Sequence, residues 1–167
     1  MMAQKLIWKV TVTGKKNSGK SSIVSEAVYS TATPINSKGF VRKKVNINFM
    51  SSEYDIDLLF LEMPYETLNE KFLSKSTFVL LVVDITDTES LQDAREFLSE
   101  YNDEMEIFII ATKADMRYAS QFWEPEISQL ADEYGVVYFI YSNRDDFSSI
   151  LKEIIGYALA KIYNPGK

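Results

Sequence analysis

Short apolar runs alternate with amphipathic stretches along the chain, and this alternation is the main signal of its fold. Residues 78–83 are apolar throughout, which is typical of a strand covered on both faces of a sheet. Residues 41–49 alternate between apolar and polar side chains, which indicates a strand with one buried face. Together these patterns predict six strands, at 6–12, 41–49, 56–61, 78–83, 107–111 and 136–141.

The amphipathic stretches predict helices at 19–29, 88–101, 122–134 and 147–162. Thr88 is the expected N-cap of the second helix, because a threonine hydroxyl can accept a backbone N–H there. Gly135 is expected to end the third helix, because glycine readily adopts the left-handed cap conformation. A hairpin turn is predicted at 51–53, which makes one strand antiparallel to the rest. The pattern therefore predicts an α/β fold: a six-stranded, mostly parallel sheet with one antiparallel strand and helices on both faces.

The composition limits what the chain can do. Its 167 residues fit one domain over 1–167, and they include no cysteine and no histidine. Disulfides, thiolate metal sites, a cysteine nucleophile and a histidine base or metal ligand are therefore excluded. With 18 basic and 24 acidic residues the net charge is −6, which argues against nucleic acid and anionic lipid as partners. There is no membrane-length apolar run, signal-peptide pattern or lipidation motif, so a cytoplasmic location without a lipid anchor is expected.

A phosphate-binding loop is predicted between the first strand and the first helix, where residues 14–21 match G-x-x-x-x-G-K-[ST]. Gly14 allows a tight turn, and Gly19 allows the backbone to approach phosphate oxygens closely. Successive N–H groups at the helix start then form a cradle for an anion. Lys20 adds a positive charge near the β and γ phosphates, and the Ser21 hydroxyl can bind Mg²⁺. The nucleotide-contacting residues expected here are Gly14, Asn17, Ser18, Gly19, Lys20, Ser21 and Ser22.

Two further loops follow strands that end at the same edge of the predicted sheet, where ligands bind in open α/β sheets. In the first loop Asp115 can accept two hydrogen bonds from guanine, from the ring N–H and the exocyclic amine, whereas adenine would leave it unpaired. The alkyl stem of Lys113 can lie over the base. The second loop could offer backbone N–H groups to the guanine carbonyl. The contacts expected from the two loops are Thr112, Lys113, Asp115, Ser142, Asn143 and Arg144.

Over nearly its whole length the sequence resembles the Ras-like small GTPases. The resemblance rests on G-K-K-N-S-G-K-S at 14–21, F-V-L-L-V-V-D-I-T-D-T-E-S at 78–90, T-K-A-D at 112–115 and Y-S-N-R at 141–144. It implies the P-loop NTPase fold and a GTP/GDP switch with Mg²⁺ and slow intrinsic hydrolysis. It also implies effector or regulator proteins that bind through two switch regions. In the first switch the family places a Mg²⁺-binding threonine, and Ser37 aligns better with that position than Thr33.

The second switch departs from the family pattern D-x-x-G. Residues 61–66 read L-E-M-P-Y-E, so Tyr65 stands where the glycine should be and Glu66 where a water-orienting glutamine should be. Glu62 is a candidate for the aspartate that holds Mg²⁺ through water. We therefore expect very slow GTP hydrolysis, no assignable catalytic residue, and a second switch that the γ-phosphate does not reorganise.

Several functions remain open on the sequence alone. The chain is expected to be a weak GTP hydrolase and switch, with a pseudo-GTPase interaction scaffold as the alternative. A P-loop kinase or ATPase is disfavoured, because no arginine-rich lid segment is present and T-K-A-D favours guanine. A looser similarity links the degenerate second switch to the C-terminal GTPase domain of the mitochondrial Rho family. The chain would then be one domain of a larger membrane-anchored protein, and a divergent Rab-like protein fits equally well.

Overall fold

The computed structural model describes residues 3–14, 41–65, 70–142 and 147–163. Within them six strands form one sheet in the order β2-β3-β1-β4-β5-β6. Strand β2 runs antiparallel to β3, and every other neighbouring pair is parallel. The strands are β1 (Gln4–Gly14), β2 (Val41–Phe49), β3 (Ser52–Pro64), β4 (Phe78–Asp84), β5 (Ile107–Thr112) and β6 (Val137–Ile140). The predicted six-stranded α/β fold with one antiparallel strand is confirmed.

The described helices are α1 (Glu70–Ser74), α2 (Thr88–Tyr101), α3 (Glu124–Tyr134) and α4 (Phe147–Tyr163). A 3₁₀ segment, Ala114–Ala119, follows β5. The sequence pattern predicted α2, α3 and α4 but neither α1 nor the 3₁₀ segment. The predicted helix at 19–29 lies outside the described residues. Among the described helices, none is both long and apolar enough to cross a membrane.

Alternation along the strands sends side chains to two apolar clusters, one on each face of the sheet. On one face Val10 of β1 and Leu80 of β4 pack with the apolar stripe of α4. On the other face Leu81 of β4 packs with residues of α1, α2 and α3. Strand β4 is buried at every position, as its unbroken apolar run predicted. The α4 stripe consists of Phe147, Leu151, Ile154, Ile155, Ala158 and Leu159, all buried.

The hairpin between β2 and β3 turns at Met50 and Ser51, because Phe49 already pairs with Ser52. Both turn residues have positive φ, 49° and 66°. Such two-residue turns match the twist of the flanking strands. The predicted turn at 51–53 is therefore wrong by one residue, since the usual Asn-Gly signature is absent from this turn.

The N-cap of α2 is Asp87, whose carboxylate oxygen Oδ1 accepts the Glu89 N–H at 3.0 Å. The prediction of Thr88 is wrong, because the Thr88 backbone N–H and hydroxyl both donate to the side-chain oxygen of Gln121 instead. Gly135 ends α3 with φ at +66°, as predicted. The sequence therefore placed the two helices correctly and misplaced one cap by a residue.

Candidate functional site

The carboxyl ends of the five parallel strands lie along one edge of the sheet. Gly14, the last residue of β1, lies beside Val82 of β4, and Asp84 of β4 lies beside Thr112 of β5. Strand β1 and strand β5 are two strand spacings apart, about 10 Å. The predicted phosphate loop and the predicted base-reading loop therefore start from the same edge, where open α/β sheets bind ligands.

Gly14 leaves the sheet with φ at +156°, a backbone conformation that residues with a Cβ rarely adopt. The backbone at the start of the predicted phosphate loop therefore requires glycine, as the motif implies. The other predicted site residues of this part of the chain lie outside the described residues: Asn17, Ser18, Gly19, Lys20, Ser21, Ser22 and Ser37.

The chain turns sharply after β5. Lys113 has φ at +64°, in the left-handed region, and its carbonyl accepts the Met116 N–H at 2.8 Å. This turn starts the 3₁₀ segment and places the backbone of Asp115 directly after it. The Thr112 side chain is buried, and its hydroxyl donates to the Val83 carbonyl at 3.3 Å, which holds β5 to β4.

The ammonium of Lys113 pairs with the carboxylate of Asp84, with Nζ 2.7 Å from Oδ2. Asp84 is only 5% exposed, and its other oxygen, Oδ1, accepts the Thr86 backbone N–H at 2.8 Å and the Thr86 hydroxyl at 2.6 Å. The sequence pattern alone assigned no role to this aspartate. Its position at the end of a buried strand, in the run D-I-T-D-T-E-S, was the available signal.

Two backbone hydrogen bonds tie Tyr141, which follows β6, to strand β5 and to the loop after it. Tyr141 donates to the Ala111 carbonyl at 2.8 Å, and Ala114 donates to the Tyr141 carbonyl at 3.3 Å. Ser142, 7% exposed, follows directly. The structure therefore brings Lys113 and Ser142 to neighbouring loops, as the sequence predicted. Asn143 and Arg144 lie outside the described residues.

Comparison with known protein families shows where this chain belongs. A model of the Ras family matches residues 9–163, which is nearly the whole chain. The chain belongs to the Ras family. The predicted Ras-like membership is confirmed, and with it a P-loop, GTP-binding domain of the small-GTPase type. No curated protein gives a match to the chain.

The segment predicted to form the second switch begins with residues that are held in the fold. Strand β3 stays paired with β1 as far as Pro64, which lies beside Gly14. The ring of Tyr65 then packs against Phe97 of α2, with ring centroids 6.0 Å apart. Its buried hydroxyl has no hydrogen-bond partner among the described residues. Burial raises the pKa of Tyr65 above its usual value, and the negative charges of Asp93 and Glu96 raise it further.

Three of the residues predicted to contact the base have described side chains: Thr112, Lys113 and Ser142. The Lys113 side chain is 34% exposed beside the loop that carries Asp115. No cluster of three or more acidic side chains within the described ranges is arranged to hold a metal. The residues predicted to bind Mg²⁺, Ser21 and Ser37, lie outside those ranges.

Proposed function

We propose that the chain is a guanine-nucleotide switch that binds GDP and GTP with Mg²⁺ and hydrolyses GTP very slowly. The main support for nucleotide binding is the turn at Lys113. Lys113 has a left-handed backbone and pairs with the buried Asp84. Its loop is hydrogen-bonded to Tyr141, the residue before Ser142, at the same sheet edge as Gly14. Backbone strain of this kind persists at functional sites, where the surrounding fold enforces it.

Guanine is the base that the loop after β5 favours. The carboxylate of Asp115 would accept the ring N–H and the exocyclic amine of guanine, and the stem of Lys113 would cover one face of the ring. Adenine has an acceptor at the first of these positions and no amine at the second, so Asp115 would stay unpaired at a cost of about 1–3 kcal/mol. Ser142, Asn143 and Arg144 would complete the contacts to the base.

The phosphates would lie against the backbone N–H groups from Gly14 to Ser21, with Lys20 adding a positive charge. Ser21 and Ser37 would hold Mg²⁺ through their hydroxyls, which are the hard oxygen ligands that this ion prefers. When bound, Mg²⁺ supplies positive charge that offsets the negative charge of the phosphates. Effector or regulator proteins would bind through the two switch regions, around Ser37 and Tyr65.

Slow hydrolysis is inferred from the second switch. A glutamine that orients the attacking water is missing at residue 66, where the chain has glutamate. The Tyr65 ring packs against Phe97, and removing a buried aromatic ring from its core costs about 3–5 kcal/mol. The γ-phosphate would have to supply that energy to draw residue 65 towards itself. We therefore expect residues 62–70 to keep one arrangement with GDP and with GTP.

Nucleotide extraction and titration test the binding proposal. The purified protein is heat-denatured and its bound nucleotide identified, and the nucleotide-free protein is titrated with fluorescent GDP and ADP in Mg²⁺ buffer. We expect guanine nucleotide alone to bind. Lys20→Ala should abolish binding, and Asp115→Asn should lower guanine affinity with an unchanged circular dichroism spectrum. Equal affinity for GDP and ADP, or unchanged affinity in Asp115→Asn, would show that the assignment of the base is wrong.

The packed Tyr65 also favours a second candidate, a pseudo-GTPase scaffold that presents one fixed surface. A single-turnover assay with GTP separates it from the slow hydrolase. Slow but measurable GDP formation, lost in Lys20→Ala, supports the hydrolase. The absence of both bound nucleotide and hydrolysis in the wild type supports the scaffold. Turnover without a partner at the rate of an activator-stimulated GTPase contradicts both.

A further inference from the structure

We propose that Asp84 is a positioning residue for base recognition, acting through Lys113. It would hold the lysine ammonium so that the methylene stem forms a fixed wall of the purine pocket. The proposal deepens the proposed function and rests on it, since it concerns the same nucleotide site.

Both oxygens of the Asp84 carboxylate are engaged. Oδ2 accepts the Lys113 ammonium at 2.7 Å, and Oδ1 accepts two hydrogen bonds from Thr86. These three contacts restrain the Asp84 carboxylate, and the carboxylate in turn restrains the Lys113 ammonium. The Asp84 side chain is 8% exposed and that of Lys113 is 34% exposed. The ammonium is therefore bound to a buried carboxylate, while 34% of the Lys113 side-chain surface stays exposed to a ligand.

The backbone of Asp84 is held as firmly as its side chain. The Ser90 hydroxyl accepts the Asp84 N–H at 2.9 Å and lies 2.8 Å from the Asp84 carbonyl oxygen. Ser90 is 1% exposed and belongs to the first turn of α2. The anchor for Lys113 is thus built into the junction between β4 and α2, away from the loop that carries the lysine.

This arrangement matters because a free lysine loses much entropy when a ligand fixes it. Ordering a free lysine side chain costs rotamer entropy. The pair with Asp84 orders Lys113 during folding, so that cost does not fall on nucleotide binding. The left-handed backbone of Lys113 adds strain, which its contacts must offset. A salt bridge that served stability alone would leave the nucleotide dissociation rate unchanged.

The substitution Asp84→Asn tests the proposal. The amide oxygen can still accept from Thr86, but the amide nitrogen cannot accept from Lys113. We expect fluorescent GDP to dissociate about tenfold faster than from the wild type, which corresponds to a coupling in the usual range for contacting residues. Asp57→Asn is the matched control, because it makes the same change at a carboxylate paired with Arg42 in the β2–β3 hairpin. The control should dissociate GDP at the wild-type rate.

A double-mutant cycle separates positioning from a structural role. Lys113→Met keeps an apolar stem and removes the ammonium, and it should also accelerate GDP dissociation. Adding Asp84→Asn to Lys113→Met should change the rate by less than about twofold, because Asp84 then has no ammonium to hold. If the two effects multiply instead, Asp84 does not act through Lys113 and the proposal is overturned.

Thr86→Val keeps the proposal testable if Asp84→Asn does not fold. It removes the hydroxyl that donates to Asp84 and leaves the charge pair intact, so a smaller acceleration of about threefold is expected. An unchanged rate in every folded variant overturns the inference while the wild type still binds GDP. A wild-type protein that binds no guanine nucleotide overturns the proposed function itself, and the inference with it.

Discussion

Replacing Tyr65 with phenylalanine removes one buried hydroxyl and keeps the ring that packs against Phe97. The hydroxyl has no hydrogen-bond partner among the described residues. Burial and the nearby charges of Asp93 and Glu96 hold the pKa of Tyr65 above its usual value, so its surroundings disfavour the ionised hydroxyl. The substitution therefore tests whether packing of the aromatic ring alone holds residue 65 in the core.

The size of the effect follows from two opposing contributions. An unsatisfied buried polar group costs about 1–3 kcal/mol, and Tyr65→Phe removes that cost at the price of a slightly smaller side chain. We expect Tyr65→Phe to unfold with a free energy about 1 kcal/mol higher than the wild type. Tyr65→Ala removes the ring as well and should lose about 3–5 kcal/mol. Urea unfolding at fixed GDP concentration measures both values.

Tyr138→Phe is the matched control, because the Tyr138 hydroxyl does have a partner, the Glu124 carboxylate at 2.9 Å. That variant should lose up to about 1 kcal/mol rather than gain. A loss of more than about 1 kcal/mol in Tyr65→Phe would show that the Tyr65 hydroxyl is hydrogen-bonded in solution. The anchoring of the second switch would then rest on a polar contact, and the reasoning above would be refuted.

Two further predictions concern pH, and a third concerns the core. Burial raises the pKa of Tyr65, so the folded wild type loses stability relative to the unfolded chain as the pH rises above about 10. The difference in unfolding free energy between Tyr65→Phe and the wild type should therefore widen at alkaline pH in urea unfolding. A difference that stays constant with pH would contradict this. The Arg42 guanidinium lowers the pKa of Asp57, so stability should fall as pH falls through that pKa, and Asp57→Asn should flatten the acid limb of thermal unfolding. Phe147→Ala should lower the free energy of unfolding by about 3–5 kcal/mol, because Phe147 is fully buried. A loss below 1 kcal/mol would contradict that packing.

The sequence predicted the sheet well, because burial on one or both faces leaves a direct mark on the chain. The unbroken apolar run of β4 and the alternation of β2 both correspond to observed strands. Helix α1 was missed, since five residues are too few to show a helical period. The cap of α2 was misplaced because Asp87 and Thr88 are both good N-caps and only the observed hydrogen bonds distinguish them.

The candidate site was predictable where it depends on topology and missed where it depends on side-chain pairing. Parallel strands end at one edge, so the loops carrying Lys113 and Ser142 were expected to be neighbours, and they are. Asp84 lies 29 residues before Lys113 in the sequence, and nothing in the spacing signals that their charges meet. The packing of Tyr65 against Phe97 could not be predicted either, because the two residues lie far apart along the chain.

The central claim is that the carboxyl edge of this sheet binds a guanine nucleotide, and isothermal titration calorimetry tests it most directly. Nucleotide-free protein is titrated with GDP, GTP and ADP in buffer containing Mg²⁺, with Lys20→Ala as the reference. The account predicts one site per chain for GDP and GTP, no heat with ADP, and no heat with Lys20→Ala. The absence of heat with both guanine nucleotides, or equal heat with ADP, would contradict it.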